Sequence, residues 1–268
     1  MLKVWTTMTG VAIEAENLSC ALGGRKVIAN INLSVRDGET LGIIGPNGAG
    51  KSTLVRCLAG LLRFEGSIKV FGRDIRRMRR RELARVISYV PQAYFYYFPY
   101  SVFEFVLMAR YPYVSRLAGF TKDDTDAATR ALETVGIESL KDRSMGTLSG
   151  GELQKVFLAG ALAQGARIAI MDEPTVFLDP KNQSELLNLV LKLASAEGRT
   201  LIVVSHDVNF VAQVADRIIG IKDGSLVFEG KSDALAPDVL KDIYDAEFVS
   251  VEHPHTKRPV ALISPEKK

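Results

Sequence analysis

No other stretch restricts the possible folds of this chain as severely as Gly45-Pro46-Asn47-Gly48-Ala49-Gly50-Lys51-Ser52-Thr53. It fits the phosphate-loop pattern, in which Gly45 and Gly50 bracket four residues ahead of Lys51 and Ser52. Its glycines open backbone conformations closed to other residues, so successive N–H groups can turn inward and line a nest for phosphate oxygens. Lys51 is placed to reach terminal phosphates, and Ser52 to offer its hydroxyl to Mg²⁺. The flanks agree: residues 39–44 read as a buried strand, and residues 53–61 carry apolar side chains at helical spacing. Phosphate would therefore sit at a helix N-terminus, where the dipole favours anions. The stretch predicts a nucleoside triphosphate site in an α/β fold.

Composition narrows the setting. With 268 residues the chain can bury a sizeable core in one or two domains. It is 47% hydrophobic and 24% charged with a net charge of +3, a surplus too small to argue for nucleic acid. No apolar run approaches the roughly eighteen residues a membrane span requires, and the first ten residues lack the continuous apolar segment of a secretion signal. Cys20 and Cys57 stand far apart in sequence without metal-ligand spacing, which points to a reducing compartment and no disulfide framework. Cys57 reads as core.

Along the chain, residues 11–35 alternate in the strand manner, with Asp37-Gly38 turning into the phosphate-loop strand. A short strand between Gly66 and Gly72 leads to a basic run of Arg73, Arg76, Arg77, Arg79, Arg80, Arg81 and Arg85. That run reads as a solvated helix face or as a contact for anionic headgroups or an acidic partner loop. Residues 87–90 form a strand ending at Pro91-Gln92. Then come Tyr94, Phe95, Tyr96, Tyr97, Phe98 and Tyr100, holding four of the eight tyrosines within seven residues. Aromatics with polar tips suit half-wet contacts, so this block reads as an interaction surface, with burial under the following helices as the other reading. Residues 101–164 are mostly helical, with Thr121 and Asp124 in capping-box positions. A strand at 168–172 ends in Asp172-Glu173-Pro174, and Asp179-Pro180 opens a helix to about Glu197. A β-branched strand at 200–205 precedes His206-Asp207 and a helix to Ala215. A hairpin turns about Asp223-Gly224, and the end of the chain reads as a polar, frayed tail.

At Leu148-Ser149-Gly150-Gly151-Glu152 the sequence carries a stretch that a bare phosphate-loop enzyme does not need. Ser149, Gly150 and Gly151 open a helix, and by the same helix-terminus logic they make a second anion site. Together with the phosphate loop, Gln92, residues 168–173 and His206, this stretch resembles the ATP-binding cassette ATPases over residues 11–244. The resemblance implies an α/β P-loop NTPase (RecA-like) core with an N-terminal antiparallel β subdomain. It also implies an inserted helical subdomain at 93–164 that carries the signature motif. Residues 11–250 would form a single ATPase domain, followed by a C-terminal tail at 251–268. Residues 106–112 and 251–254 resemble, more narrowly, the ATPase subunits of importers for iron-siderophore, haem, cobalamin and related metal complexes.

The resemblance also carries roles onto single residues. Asp172 matches the Walker B aspartate, which holds Mg²⁺ through its water shell while Ser52 ligates directly. Gln92 matches the residue that senses Mg²⁺ and water as its loop follows the membrane partner. Glu173 matches the carboxylate that polarises the attacking water, and His206 the switch histidine at the γ-phosphate. With Lys51 and Gln92 they form the implied catalytic set. The implied cofactors are ATP and Mg²⁺. The nucleotide is implied to lie against Gly45, Pro46, Asn47, Gly48, Ala49, Gly50, Lys51, Ser52 and Thr53 of one subunit. Ser149, Gly150 and Gly151 of the other would close over it in a head-to-tail homodimer. Two membrane-spanning permease subunits and, indirectly, an extracytoplasmic substrate-binding protein are the implied partners, without nucleic acid. The implied location is the cytoplasmic face of the cell membrane, peripheral through the permease. An exporter-associated cassette and a soluble non-transport cassette are the other readings.

Four positions depart from the family pattern. Leu22 stands where an adenine-stacking aromatic is expected, Val176 where a serine is usual, Glu152 for the commoner glutamine, and Ala109 for a glycine. Base–aromatic stacking contributes about 1 to 3 kcal/mol, and Leu22 lacks a π-face. Most nucleotide affinity should then come from the phosphates. GTP is expected to be hydrolysed within about tenfold of ATP. Leu22→Tyr is expected to lower KM for ATP at unchanged kcat, because the added binding is remote from the reacting phosphate. Side-by-side kinetics check both; a hundredfold preference for ATP in the unmodified protein would contradict them.

Overall fold

The computed structural model describes residues 10–92, 99–115, 119–176, 178–254 and 258–265. The chain divides into two compact units, one made of Met1–Arg77 with Val190–Lys268, the other of Met78–Leu189.

In the first unit, β1 (Val11–Leu22) and β2 (Arg25–Arg36) are long antiparallel strands joined through Gly23 and Gly24, both at positive φ. They bend where the register shifts. Asn17 and Asn30 sit there at φ near 50°, a conformation asparagine tolerates better than most residues. Neighbouring side chains take up the displaced backbone donors: Asn17 N–H donates to Asn32 Oδ1 at 2.8 Å and Asn30 N–H to Ser19 Oγ at 3.0 Å. β3 (Thr40–Ile44) is buried throughout, and the phosphate loop carries it into α1 (Lys51–Leu58). β4 (Glu65–Val70) and β5 (Arg73–Asp74) complete an antiparallel sheet of order β2-β1-β4-β5. Cys20 and Cys57, distant in sequence, are neighbours here, both buried and both free thiols. Burial, then the adjacent Cys20, pushes the Cys57 thiol up to about 12, so it is inert core as expected.

The second unit contains α2 (Arg80–Ala84), β6 (Ile87–Val90), α3 (Val102–Met108), α4 (Lys122–Val135), α5 (Gly150–Gln164), β7 (Ile168–Asp172) and the start of α6 (Pro180–Glu197). Its helices close over Val102, Val106, Ala128, Leu132, Val156 and Ala159. This unit is wider than the expected 93–164 insertion. The physical reason is that β6 and β7 pair in parallel, and Gln164 at the end of α5 donates to the carbonyls of Ala84 and Ile87 at 2.5 and 2.8 Å. The Thr121–Asp124 capping box forms, with Thr121 N–H donating to Asp124 Oδ2 at 2.9 Å. Arg110 Nε adds a 3.0 Å bond to the other carboxylate oxygen. Burial alone would raise the Asp124 pKa; the Thr121 and Arg110 donors outweigh it and hold the carboxyl below its ordinary value.

Part of the basic run is spent on internal contacts. Arg81 donates to the carbonyls of Tyr111 and Val114, and Arg85 to that of Pro112 at 2.9 Å, pinning the turn after α3. In the first unit Arg76 pairs with Asp74 at 3.0 Å. All three remain exposed, so the solvated-face reading holds for them, with these contacts in addition. The aromatic block from Tyr94 to Phe98 lies outside the described residues.

Back in the first unit come β8 (Thr200–Val204), α7 (Val208–Val214), β9 (Arg217–Lys222), β10 (Ser225–Lys231) and α8 (Pro237–Tyr244). β3 lies between β9 and β8, parallel to both, and β10 pairs antiparallel with β9. The expected polar tail is corrected: β11 (Phe248–Glu252) and β12 (Pro259–Ile263) form an antiparallel hairpin that spans the 250/251 boundary. It is anchored by Asn209 of α7, whose amide exchanges two bonds with Ala261, at 3.1 and 2.8 Å.

The strand bearing the loop is locked at its other end. Arg217 donates through Nε to Glu39 Oε1 at 2.7 Å and through Nη2 to Glu39 Oε2 at 3.0 Å, while Arg36 N–H donates to the same carboxylate at 2.7 Å. Burial pushes the Glu39 pKa up, but the Arg217 and Arg36 donors dominate and leave it below its ordinary value. The stabilisation is thus present in full above the ordinary carboxylate value and drains as pH falls through the lowered folded pKa. Glu39→Gln is expected to lose about 3 kcal/mol at neutral pH. The Tm gap between it and the unmodified protein should then shrink as pH drops from 5 toward 3.

Candidate functional site

The phosphate loop begins where β3 ends, and its glycines are needed by geometry. Gly45, Gly48 and Gly50 sit at φ of 148°, 81° and 100°. A Cβ on Gly45 would lie 2.0 Å from the Ile221 carbonyl oxygen, and one on Gly50 2.8 Å from Ile28 Cγ2. Lys51 is 6% exposed, and its ammonium sits inside the loop, donating to the carbonyls of Gly45 and Pro46 at 2.7 and 3.0 Å. Gly50 is the N-cap of α1 and brings no side chain to the first-turn N–H groups. These groups, opening with Lys51, Ser52 and Thr53, form a donor set suited to an anion. Two bonds fasten the loop from outside: Gly224 N–H donates to Ala49 O at 3.1 Å, and Gly45 N–H donates to the Tyr244 hydroxyl at 3.1 Å. His206 follows β8, which runs parallel to β3, so it emerges at the same sheet end as Gly45 and is exposed. Leu22, at the end of β1, is 44% exposed.

The second unit gathers the other predicted residues at two places. At the end of β7, Asp172 is fully buried, and the hydroxyl of Tyr89 on β6 donates to its Oδ2 at 2.8 Å. Glu173 follows at φ 52° and is 7% exposed. A non-glycine residue in that conformation stores strain that its surroundings must hold. Gln92 lies just past the end of β6, at the same edge as Asp172, because Val90 pairs with Met171. Val176 N–H donates to Glu173 O at 3.3 Å.

The second place is the start of α5. Ser149 is its N-cap, with Oγ accepting the Glu152 N–H at 3.3 Å, while Ser149 N–H and Oγ–H donate to Glu152 Oε2 at 2.8 and 2.9 Å. Glu152 also meets Arg143 Nη1 at 3.0 Å. The Ser149 N–H, then its hydroxyl, then Arg143 keep its carboxyl below the ordinary value. This accounts for glutamate in place of glutamine, since the carboxylate closes a capping box and an ion pair together. Gly151 packs beside the segment after β7; a Cβ there would be 3.5 Å from Leu178 Cδ2 and 3.7 Å from Asn182 Nδ2.

Comparison with known proteins now adds to this geometry. The sequence model of the family described as ABC transporter matches residues 28–176, more than half of the chain. The chain belongs to the ABC transporter family. The cassette is 32% identical over 253 residues to the iron(3+)-hydroxamate import ATP-binding protein FhuC of Bacillus subtilis (strain 168), covering 94% of each. A chain of an inward-facing transporter described as of metal-chelate type aligns with TM-score 0.82 at 26% identity, covering 97% of this chain and 98% of that one. A cassette solved as a dimer in a post-hydrolysis state, bound to ADP and Pi, aligns with TM-score 0.72 at 29% identity, covering 82% and 98%. The cassette therefore has the P-loop NTPase fold and is a nucleotide-binding ATPase.

Sequence reasoning missed Tyr89, Tyr244 and Arg143. Each meets its partner through a side chain whose local sequence carries no motif. For Tyr89, removing the hydroxyl deprives a buried carboxylate of one donor, and a hydrogen bond to a charged group contributes about 1.5 to 3 kcal/mol. Tyr89→Phe is expected to lower stability by about 1.5 kcal/mol in urea unfolding at neutral pH, with no change in m-value.

Proposed function

We propose that this cassette is the ATP-hydrolysing subunit of an importer, which dimerises around MgATP to move a metal complex through separate membrane subunits. The observation that carries the reading is the glycine-cradled loop with Lys51 held inside it. It stands in a chain that matches an iron(3+)-hydroxamate import ATP-binding protein over 94% of both lengths. Among the described residues no helix is long and apolar enough to cross a membrane. Residues 11–250 are read as one ATPase domain built from both units, at the cytoplasmic face of the membrane through the permease.

The residues present fit the nucleotide and its ion. The uncapped first turn of α1 and the Lys51 ammonium offer donors and positive charge to the phosphates. The Ser52 hydroxyl, the buried Asp172 carboxylate and the Gln92 amide would each offer Mg²⁺ an oxygen, the donor type it accepts. When bound, Mg²⁺ neutralises charge on the phosphates. Glu173 orients and polarises water, His206 meets the terminal phosphate, and Lys51 offsets charge that develops there. Ser149, Gly150 and Gly151 present the N-terminus of α5 to the nucleotide of the second subunit; the relative solved as a dimer with ADP and Pi supports that arrangement. A metal complex as cargo is supported by the hydroxamate-import relative and the metal-chelate type transporter.

Lys51→Ala is expected to cut ATP turnover on the order of a thousandfold, from the loss of a contact of about 4 kcal/mol at an effective dielectric near 20. Glu173→Gln keeps the shape of the side chain but cannot accept a proton. It is expected to bind MgATP, turn it over barely, and elute as a dimer in size-exclusion chromatography with ATP. A monomeric or fully active Glu173→Gln protein would contradict the assignment.

A further inference from the structure

Gly45 is buried and stands one residue beyond β3, where the strand ladder no longer supplies an acceptor for its N–H. A buried backbone donor needs a partner. That partner is the phenol oxygen of Tyr244, 199 residues away, at 3.1 Å. We infer that Tyr244 is a positioning residue for the phosphate loop, holding its first peptide in the conformation that receives phosphate; this rests on the reading of the loop as the ATP site.

Tyr244 is the last residue of α8, and the end of that helix is fixed by contacts independent of the hydroxyl. Lys222, at the end of β9, donates to Asp242 O at 2.7 Å and to Asp245 Oδ1 at 2.8 Å. Asp245 closes the helix at φ 54°. Gly220 leaves room for Ile243: a Cβ there would lie 2.6 Å from Ile243 Cδ1. The Tyr244 ring meets the Phe248 ring at 5.9 Å between centroids, which joins the helix to the hairpin. With the helix end and ring both held, the hydroxyl is an anchored acceptor. Gly45 is pressed on its other side by the Ile221 carbonyl, which leaves the peptide little freedom to find another one.

The test compares full-length Tyr244→Phe, Ile243→Val and Lys51→Ala with the unmodified protein, using ATP and ADP as probes in calorimetric titration and steady-state kinetics. Tyr244→Phe retains the ring and removes the hydroxyl, and with it the acceptor of the Gly45 N–H. The expected result is about fivefold weaker binding of both nucleotides, the size of one neutral hydrogen bond, with KM for ATP raised in proportion and kcat within twofold. Ile243→Val loosens the packing of α8 without touching the hydroxyl and should change affinity by less than twofold. The inference is overturned if Tyr244→Phe binds ATP as the unmodified protein does. It is equally overturned if Ile243→Val weakens binding as much, since the effect would then belong to helix packing. If Lys51→Ala loses ATP binding while Tyr244→Phe keeps it, the loop is the ATP site and Tyr244 does not position it. If Lys51→Ala binds ATP normally, the reading of the loop fails and this inference falls with it.

Discussion

The close approach of Gly45 to the Ile221 carbonyl, with Lys51 curled against the carbonyls behind it, is the contact on which the first unit depends. It is possible only because β3 lies between two parallel neighbours, which leave the loop emerging from the middle of a buried sheet. Such a sheet must be dry, and all five residues of β3 are buried. Its polar ends therefore need dedicated partners. Arg217 serves Glu39 at one end of the strand, and Tyr244 serves Gly45 just beyond the other.

The second unit uses one local device repeatedly. At α3, α4 and α5 a Ser or Thr N-cap faces an acid three residues on, Glu104, Asp124 and Glu152 in turn. Each box ties down two backbone donors that the helix leaves without partners. At α5 the device coincides with a motif proposed to act across subunits, because Ser149 caps the helix and opens that motif. Its hydroxyl is held by Glu152, which is held by Arg143, which also donates to Thr147 O at 2.7 Å. The start of α5 is thus pre-ordered, which would reduce the entropy lost in any contact it makes.

The arginines show what composition leaves open. A run of like charges in sequence reads as a solvated surface, and Arg81 and Arg85 are exposed; from that surface they also donate to the carbonyls of one turn, and Arg85 lies over the Tyr113 ring at 5.2 Å. Arg110 covers the other side of the picture, pairing with buried Asp124 while stacking on the same ring at 4.0 Å. A planar five-donor group can satisfy backbone carbonyls that no helix or strand serves. The polar composition of the C-terminal end left the pairing of β11 and β12 open, since they pair there through backbone bonds that composition does not reveal.

What the sequence determined by itself is local: the strand–loop–helix of the phosphate site, the glycines at positive φ, the helix caps, and the strand ends that carry Asp172, Glu173 and His206. Each follows from the sterics or hydrogen bonding of a few contiguous residues, so a short window holds all the information needed. The tertiary structure alone decided that Tyr244 receives the Gly45 N–H, that Tyr89 serves Asp172, that Cys20 and Cys57 are neighbours, and that β11 pairs with β12. Those pairings join positions as much as 199 residues apart. A buried donor or acceptor demands some partner, but the packing of distant elements selects which one, and no local pattern records that choice.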